Sequence, residues 1–137
     1  MAFDPSRDYP LGARRPDLVT TPDGTPLADV TLEAARAGAL RAEEIRATSE
    51  TLRLQAEVAR SAGRTQLGEN LERAAELAGV PDELLLQIYT ALRPRRATGA
   101  ELEEWASRLE AHGAEKTAAF VREASAAYAE RRLLADG

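Results

Sequence analysis

The sequence predicts an all-α protein, a small bundle of about five to six helices led by an extended proline-rich arm. Three observations carry this. Beyond residue 30 the apolar residues recur at helical spacing. Helix start and stop signals punctuate the same stretch at Thr31, Ser49, Thr98, Gly38, Gly63 and Gly113. Five of the seven prolines fall within the first thirty residues, where Phe3, Tyr9, Leu11, Leu18, Val19 and Leu27 follow no helical or strand period.

The organisation expected is therefore an N-terminal arm over 1–30 and a helical domain over 31–137 as one structural unit. In the arm, each proline fixes its own φ and pushes the residue before it toward extended geometry, which disfavours helix throughout. A disordered tail carries few large apolar groups, and this segment has several, which suits a strap laid on a surface. Thr21-Pro22-Asp23-Gly24 supplies a type I turn, so 18–29 is read as a short β-hairpin.

Thr31 caps a short helix to Ala37, stopped by Gly38, and Glu43-Glu44-Ile45 makes one further turn. Ser49 caps a helix to about Ala62 with Leu52, Gln55, Ala56, Ala59 and Ala62 on one face and Leu54 and Val58 on its flank. A helix from about Arg64 to Ala78 gathers Leu67, Leu71, Ala74, Ala75 and Ala78, and Gly79 ends it as a left-handed cap. Pro81 opens the next at its first position, and Pro94 stops it near Arg93. Leu84, Leu85, Ile88, Tyr89 and Leu92 form a wide arc on this helix, and Leu86 falls outside it, so the helix is read as central or as pressed between the body and a partner. Thr98-Gly99-Ala100-Glu101 is a capping box opening a helix with Leu102, Trp105, Ala106 and Leu109 on one face. The last helix, about Ala114 to Leu133, is expected to bury Phe120, Val121, Ala124, Ala127 and Tyr128.

Composition narrows the function. Nearly half of the hydrophobic residues are alanine, which leaves roughly four bulky anchors per helix and makes a covering partner useful. There is no cysteine, hence no disulfide frame, thiol catalysis or thiolate metal site, and the single His112 rules out a multi-histidine cluster. No apolar run reaches the roughly 18 residues of a membrane span, and the start lacks a secretory pattern, so a cytoplasmic location is the default. The net charge of −5 argues against binding a phosphate backbone. Seventeen arginines stand against one lysine but are scattered among acidic residues.

No catalytic, cofactor-binding or metal-ligating residue is singled out. His112 is read as structural at a helix end, and Glu43-Glu44, Asp82-Glu83 and Glu103-Glu104 as first-turn acids favoured by the helix dipole. Arg93-Pro94-Arg95-Arg96 is the one compact basic cluster, in a helix-to-helix connection that reads first as a solvated loop and otherwise as a fork to carboxylates of a partner. Tyr89, Trp105 and Tyr128 are of a type that more often belongs to the internal core, and Tyr9 is assigned to contact with another chain. The interface set is Tyr9, Pro10, Leu11, Leu86, Tyr89, Arg93 and Arg96.

In order along the chain, Asp8-Tyr9-Pro10-Leu11, Thr21-Pro22 with Gly24, Pro26, Leu27 and Asp29, Thr31-Leu32-Glu33, Thr51-Leu52 with Gln55-Ala56, and Arg73-Ala74-Ala75-Glu76-Leu77 form one collinear pattern. Pro81-Asp82-Glu83, Ile88-Tyr89 with Ala91-Leu92-Arg93-Pro94, Ala119-Phe120-Val121-Arg122-Glu123 and Tyr128 complete it. The ordered combination resembles the small, or gamma, subunit of adenosylcobalamin-dependent diol and glycerol dehydratases from about Asp8 to Arg132. Two departures are Arg95, where the pattern has an aromatic, and a smaller, glycine-rich 63–68.

The resemblance implies a complex of large, medium and small subunits arranged as a dimer of heterotrimers. It implies a large β/α-barrel subunit holding substrate and potassium, and adenosylcobalamin held between the large and medium subunits. A radical mechanism converts 1,2-diols such as propane-1,2-diol and glycerol to aldehydes, and the cofactor carries that chemistry. This chain would supply no catalytic residue and would brace the barrel subunit, with a bacterial microcompartment as one setting for the complex. The rival readings are an autonomous helical adaptor, a helix-turn-helix regulator using Arg93 to Arg96, and a lone enzyme.

Overall fold

The computed structural model describes residues 2–136, which contain eight α-helices and no strand. The chain divides into two compact units, 1–78 and 79–137.

The arm in the first unit is not wholly extended. It forms α1 (Pro5–Asp8), α2 (Leu11–Arg14) and a 3₁₀ turn, Pro16–Leu18. The expectation that proline excludes helix here is therefore corrected. Pro5 and Pro16 sit at the start of their turns and Pro10 precedes α2, positions where the missing N–H is no loss. A cis Tyr9–Pro10 peptide joins α1 to α2, and α1 packs on α4.

The Thr21–Gly24 turn forms as expected, with Gly24 N–H donating to Thr21 O at 2.9 Å and Gly24 at φ +86°. The hairpin does not extend beyond it. Pairing is limited to one antiparallel bridge, Thr20 with Pro26, because both flanks turn away as 3₁₀ helices: Val19 N–H is given to Pro16 O, and Leu27–Asp29 forms its own turn.

The helix α3 (Leu32–Arg36) is capped by Thr31 and followed by Gly38 at φ +73°. α4 (Ser49–Ser61) is capped by Thr48, one residue earlier than read from the sequence, and the Ser49 hydroxyl instead donates to Ala75 O at 2.7 Å. α4 packs against α5 (Thr65–Leu77). Small residues permit that approach: Ala56, Ala59, Gly68 and Ala75 are buried. A Cβ on Gly68 would stand 2.9 Å from Arg60 Cγ and 3.2 Å from Ala56 O. The stripe of α5 is accordingly centred on Gly68 and Ala75, and Leu67, expected inside, is exposed. Gly79 is not left-handed: α5 ends at an ordinary αR residue, Ala78, so the left-handed cap is corrected.

The second unit holds α6 (Asp82–Ala91), α7 (Gly99–Ala111) and α8 (Glu115–Glu130). Pro81 is the N-cap of α6, and the Thr98–Glu101 capping box is formed at α7. α7 and α8 pack on each other. Leu102, Ala106 and Leu109 are buried on α7, as read, with Ala114, Ala118 and Val121 from the other helix. The buried stripe of α8 runs Ala114, Thr117, Ala118, Val121, at helical spacing that leaves Phe120 off it. Phe120 is 45% exposed, which corrects its assignment to the core.

Candidate subunit interface

The interface residues proposed from sequence divide between the two units. In the first, Tyr9 is 51% exposed and Pro10 is exposed, whereas Leu11 is 2% exposed and belongs to the buried set of this chain. Tyr9 lines a depression of about 360 Å³ with Pro5, Gln55, Val58, Leu67 and Leu71.

The feature that ties the short turns of the arm to one another was not singled out from sequence. Asp8 is buried and accepts from Arg7 Nε and Nη2, each at 2.7 Å, from Asp4 N–H at 2.9 Å and from Arg15 Nη1 at 3.3 Å. The Arg7 hydrogen bonds, with Asp4 N–H and the charges of Arg7 and Arg15, hold its carboxyl well below the usual carboxylate range against the opposing effect of burial. Arg15 pairs in turn with Asp17 at 2.8 Å. The available signal was one acid flanked by Arg7 and Arg15 in a segment rich in short turns.

In the second unit, Leu86 and Tyr89 are 67% and 66% exposed, and Arg93 and Arg96 are exposed. Leu86, Tyr89 and Arg93 stand at i, i+3 and i+7, one face of a helix and its immediate extension. The Arg93 guanidinium lies 5.9 Å from the centre of the Tyr89 ring. Ile88 on the same helix is buried. The wide apolar arc of α6 is thus only partly covered. Tyr89, placed within the arc, lies outside the packed side.

Beside this face, an open groove of about 590 Å³ is lined by Leu86, Gln87, Thr90, Ala91, Ala97 and Trp105, with Glu83, Arg96 and Glu101 as its charged groups. Trp105 is half-buried, and Arg108 stacks 4.8 Å from its ring. Tyr128 is anchored internally, its hydroxyl donating to Leu92 O at 2.6 Å.

The acidic pairs serve local structure. Glu44 accepts from Arg41 N–H at 2.6 Å, and Asp82 and Glu83 lie in the first turn of α6. Glu103 and Glu110 both bind Arg122, which lowers the pKa of each and raises that of the arginine. Glu104 pairs with Arg108 at 3.3 Å. His112 is the exposed C-cap of α7. No group of three His, Cys, Asp or Glu able to hold a metal ion occurs among the described residues, and no described helix is long and apolar enough to cross a membrane.

The regular structure of the described residues is all helical, and the second unit leaves an aromatic and apolar face open on α6. The chain belongs to the dehydratase small subunit family, whose model matches residues 5–135. It is 51% identical over 128 residues to the propanediol dehydratase small subunit of Citrobacter freundii, spanning 93% of this chain and 74% of that one. It is 49% identical, over the same shares, to the propanediol dehydratase small subunit of Salmonella typhimurium (strain LT2).

Proposed function

We propose that the chain is the small, non-catalytic subunit of an adenosylcobalamin-dependent diol dehydratase, a hydro-lyase complex that converts 1,2-diols such as propane-1,2-diol and glycerol to aldehydes. Its partners are a large β/α-barrel subunit and a medium subunit, in a dimer of heterotrimers. It docks through Tyr9 and Pro10 in the first unit and through Leu86, Tyr89, Arg93 and Arg96 in the second. The observation that carries the reading is the uncovered Leu86–Tyr89–Arg93 row in a chain about half identical to two propanediol dehydratase small subunits.

The residues present do not fit a corrin or a potassium site: the one histidine is an exposed helix cap, and no group of three His, Cys, Asp or Glu able to hold a metal ion occurs among the described residues. Both groups are accordingly assigned to the partner subunits, and no step of the reaction is routed through this chain. Its contribution is to cover apolar surface on the barrel subunit and to exclude water there, at about 25 cal/mol per Å² of apolar area.

Co-expression of the three subunits tests the reading. The tagged small chain should retain two larger chains, and the complex should turn over propane-1,2-diol only with adenosylcobalamin. A complex without this chain should lose thermal stability. Full stability and turnover without it would overturn the assignment.

A further inference from the structure

We propose that the α6–α7 connection and the C-terminal end of α8 together form an arginine platform, of Arg93, Arg95, Arg96, Arg131 and Arg132, that seats on a carboxylate-rich surface of a partner dehydratase subunit. The proposal rests on the assignment to a dehydratase complex and adds the chemistry of the contact.

Arg131 and Arg132 lie far in sequence from the Arg93–Arg96 cluster, and tertiary structure brings the two segments together. Tyr128 Oη donates to Leu92 O at 2.6 Å, Arg95 N–H to Leu133 O at 2.7 Å and Ala135 N–H to Ala97 O at 2.9 Å. These three bonds, one from a side chain and two between backbones, tie 92–97 to 128–135. A Cβ on Gly99 would meet Leu134 Cδ1 at 3.7 Å, so the tail also lies against the start of α7.

All five arginines are exposed, and none has an ion-pair partner among the described residues. Arg7, Arg15, Arg41, Arg60, Arg108 and Arg122 each hold a carboxylate. The acids nearest in sequence, Glu130 and Asp136, are exposed, and Glu83 and Glu101 share the neighbouring groove with Arg96. Arg95 at φ +63° and Arg132 at φ +55° occupy left-handed backbone that glycine adopts without strain. Arginine at these two turns adds two cations to the cluster.

Two features select protein carboxylates over nucleic acid. The cations are guanidinium forks, which match a carboxylate with two parallel hydrogen bonds. They also continue into Tyr89 and Leu86, and such a mix of arginine, aromatic and apolar groups is typical of the centre of a protein interface. The net charge of −5 repels a phosphate backbone beyond the patch.

Phenylglyoxal footprinting of the full chain, free and in the co-expressed three-subunit complex, tests the platform when read by mass spectrometry. Arg93, Arg95, Arg96, Arg131 and Arg132 should react in the free chain and be protected in the complex, while Arg53 reacts in both. R93E/R96E/R131E should keep the wild-type circular dichroism and lose about a hundredfold or more in affinity for the partner chains. The corresponding lysine triple should lose less, and R53E should behave as wild type. Co-purification of the partners with the five arginines still reactive would overturn the platform alone. Failure of the wild-type chain to co-purify would overturn the dehydratase assignment with it. Tight, salt-sensitive binding of a short duplex DNA, abolished by the charge reversal, would overturn the choice of a protein partner.

Discussion

At the scale of single residues, the two ends of the short Tyr9–Leu11 motif do different work. Tyr9 is half exposed and Leu11 is fully buried, so the arm both packs on its own unit and presents a side chain outward. Leu11→Ala should lower the stability of the isolated chain by about 2–5 kcal/mol in urea unfolding. Tyr9→Ala should leave that transition nearly unchanged and weaken assembly, measured by co-purification at rising salt. Asp8 was legible only as part of a motif, because the short α1 and α2 turns that direct Asp4 N–H, Arg7 and Arg15 at one carboxylate were read as extended chain. With its folded pKa depressed, the contribution of Asp8 is full above the unfolded value of 3.8 and is lost as pH falls through the lower, folded value. A carboxyl ¹³C NMR titration should therefore find Asp8 ionised in acid where ordinary aspartates have protonated. Asp8→Asn should abolish this acid-dependent link between α1 and Arg15 at the end of α2.

At the scale of elements, capping and periodicity were read well where helices are long, and poorly where one or two residues decide. The Thr98 capping box is formed as its spacing requires, with Thr98 N–H donating to Glu101 at 2.8 Å and Glu101 N–H to Thr98 Oγ1 at 3.2 Å. Thr98→Ala should cost about 0.5–2 kcal/mol, seen as a shift in urea midpoint without change in slope. The α4–α5 pair shows the limit of periodicity. Leu67 looked like a core residue, but the close approach at Gly68 centres the contact on small side chains. Gly68→Leu should destabilise the chain by about 1–3 kcal/mol through overpacking, despite the better helix propensity of leucine. The predicted hairpin shrank to one bridge for the converse reason: turn chemistry is local, whereas a ladder needs free donors, and Val19 N–H is already given to Pro16 O.

At the scale of the molecule, burial is unevenly shared. Leu102, Leu109 and Val121 are fully enclosed in the second unit, while 32–48 carries short elements with Leu32 and Ile45 about 60% exposed. Amide exchange in the free chain should be fast over 32–48 and slow in α7, and assembly should slow it at α6. By itself the sequence determined the helical class, the placement of the main helices from α3 onward, the turn at Thr21–Gly24 and the family, because caps, periodicity and collinear motifs depend on residues close in the chain. Only tertiary structure decided which apolar residues are left uncovered, and that the distant segments 92–97 and 128–135 are hydrogen-bonded together. Those outcomes depend on which backbones approach closely enough to exclude water or share a hydrogen bond, and that distance is written in no local run of residues.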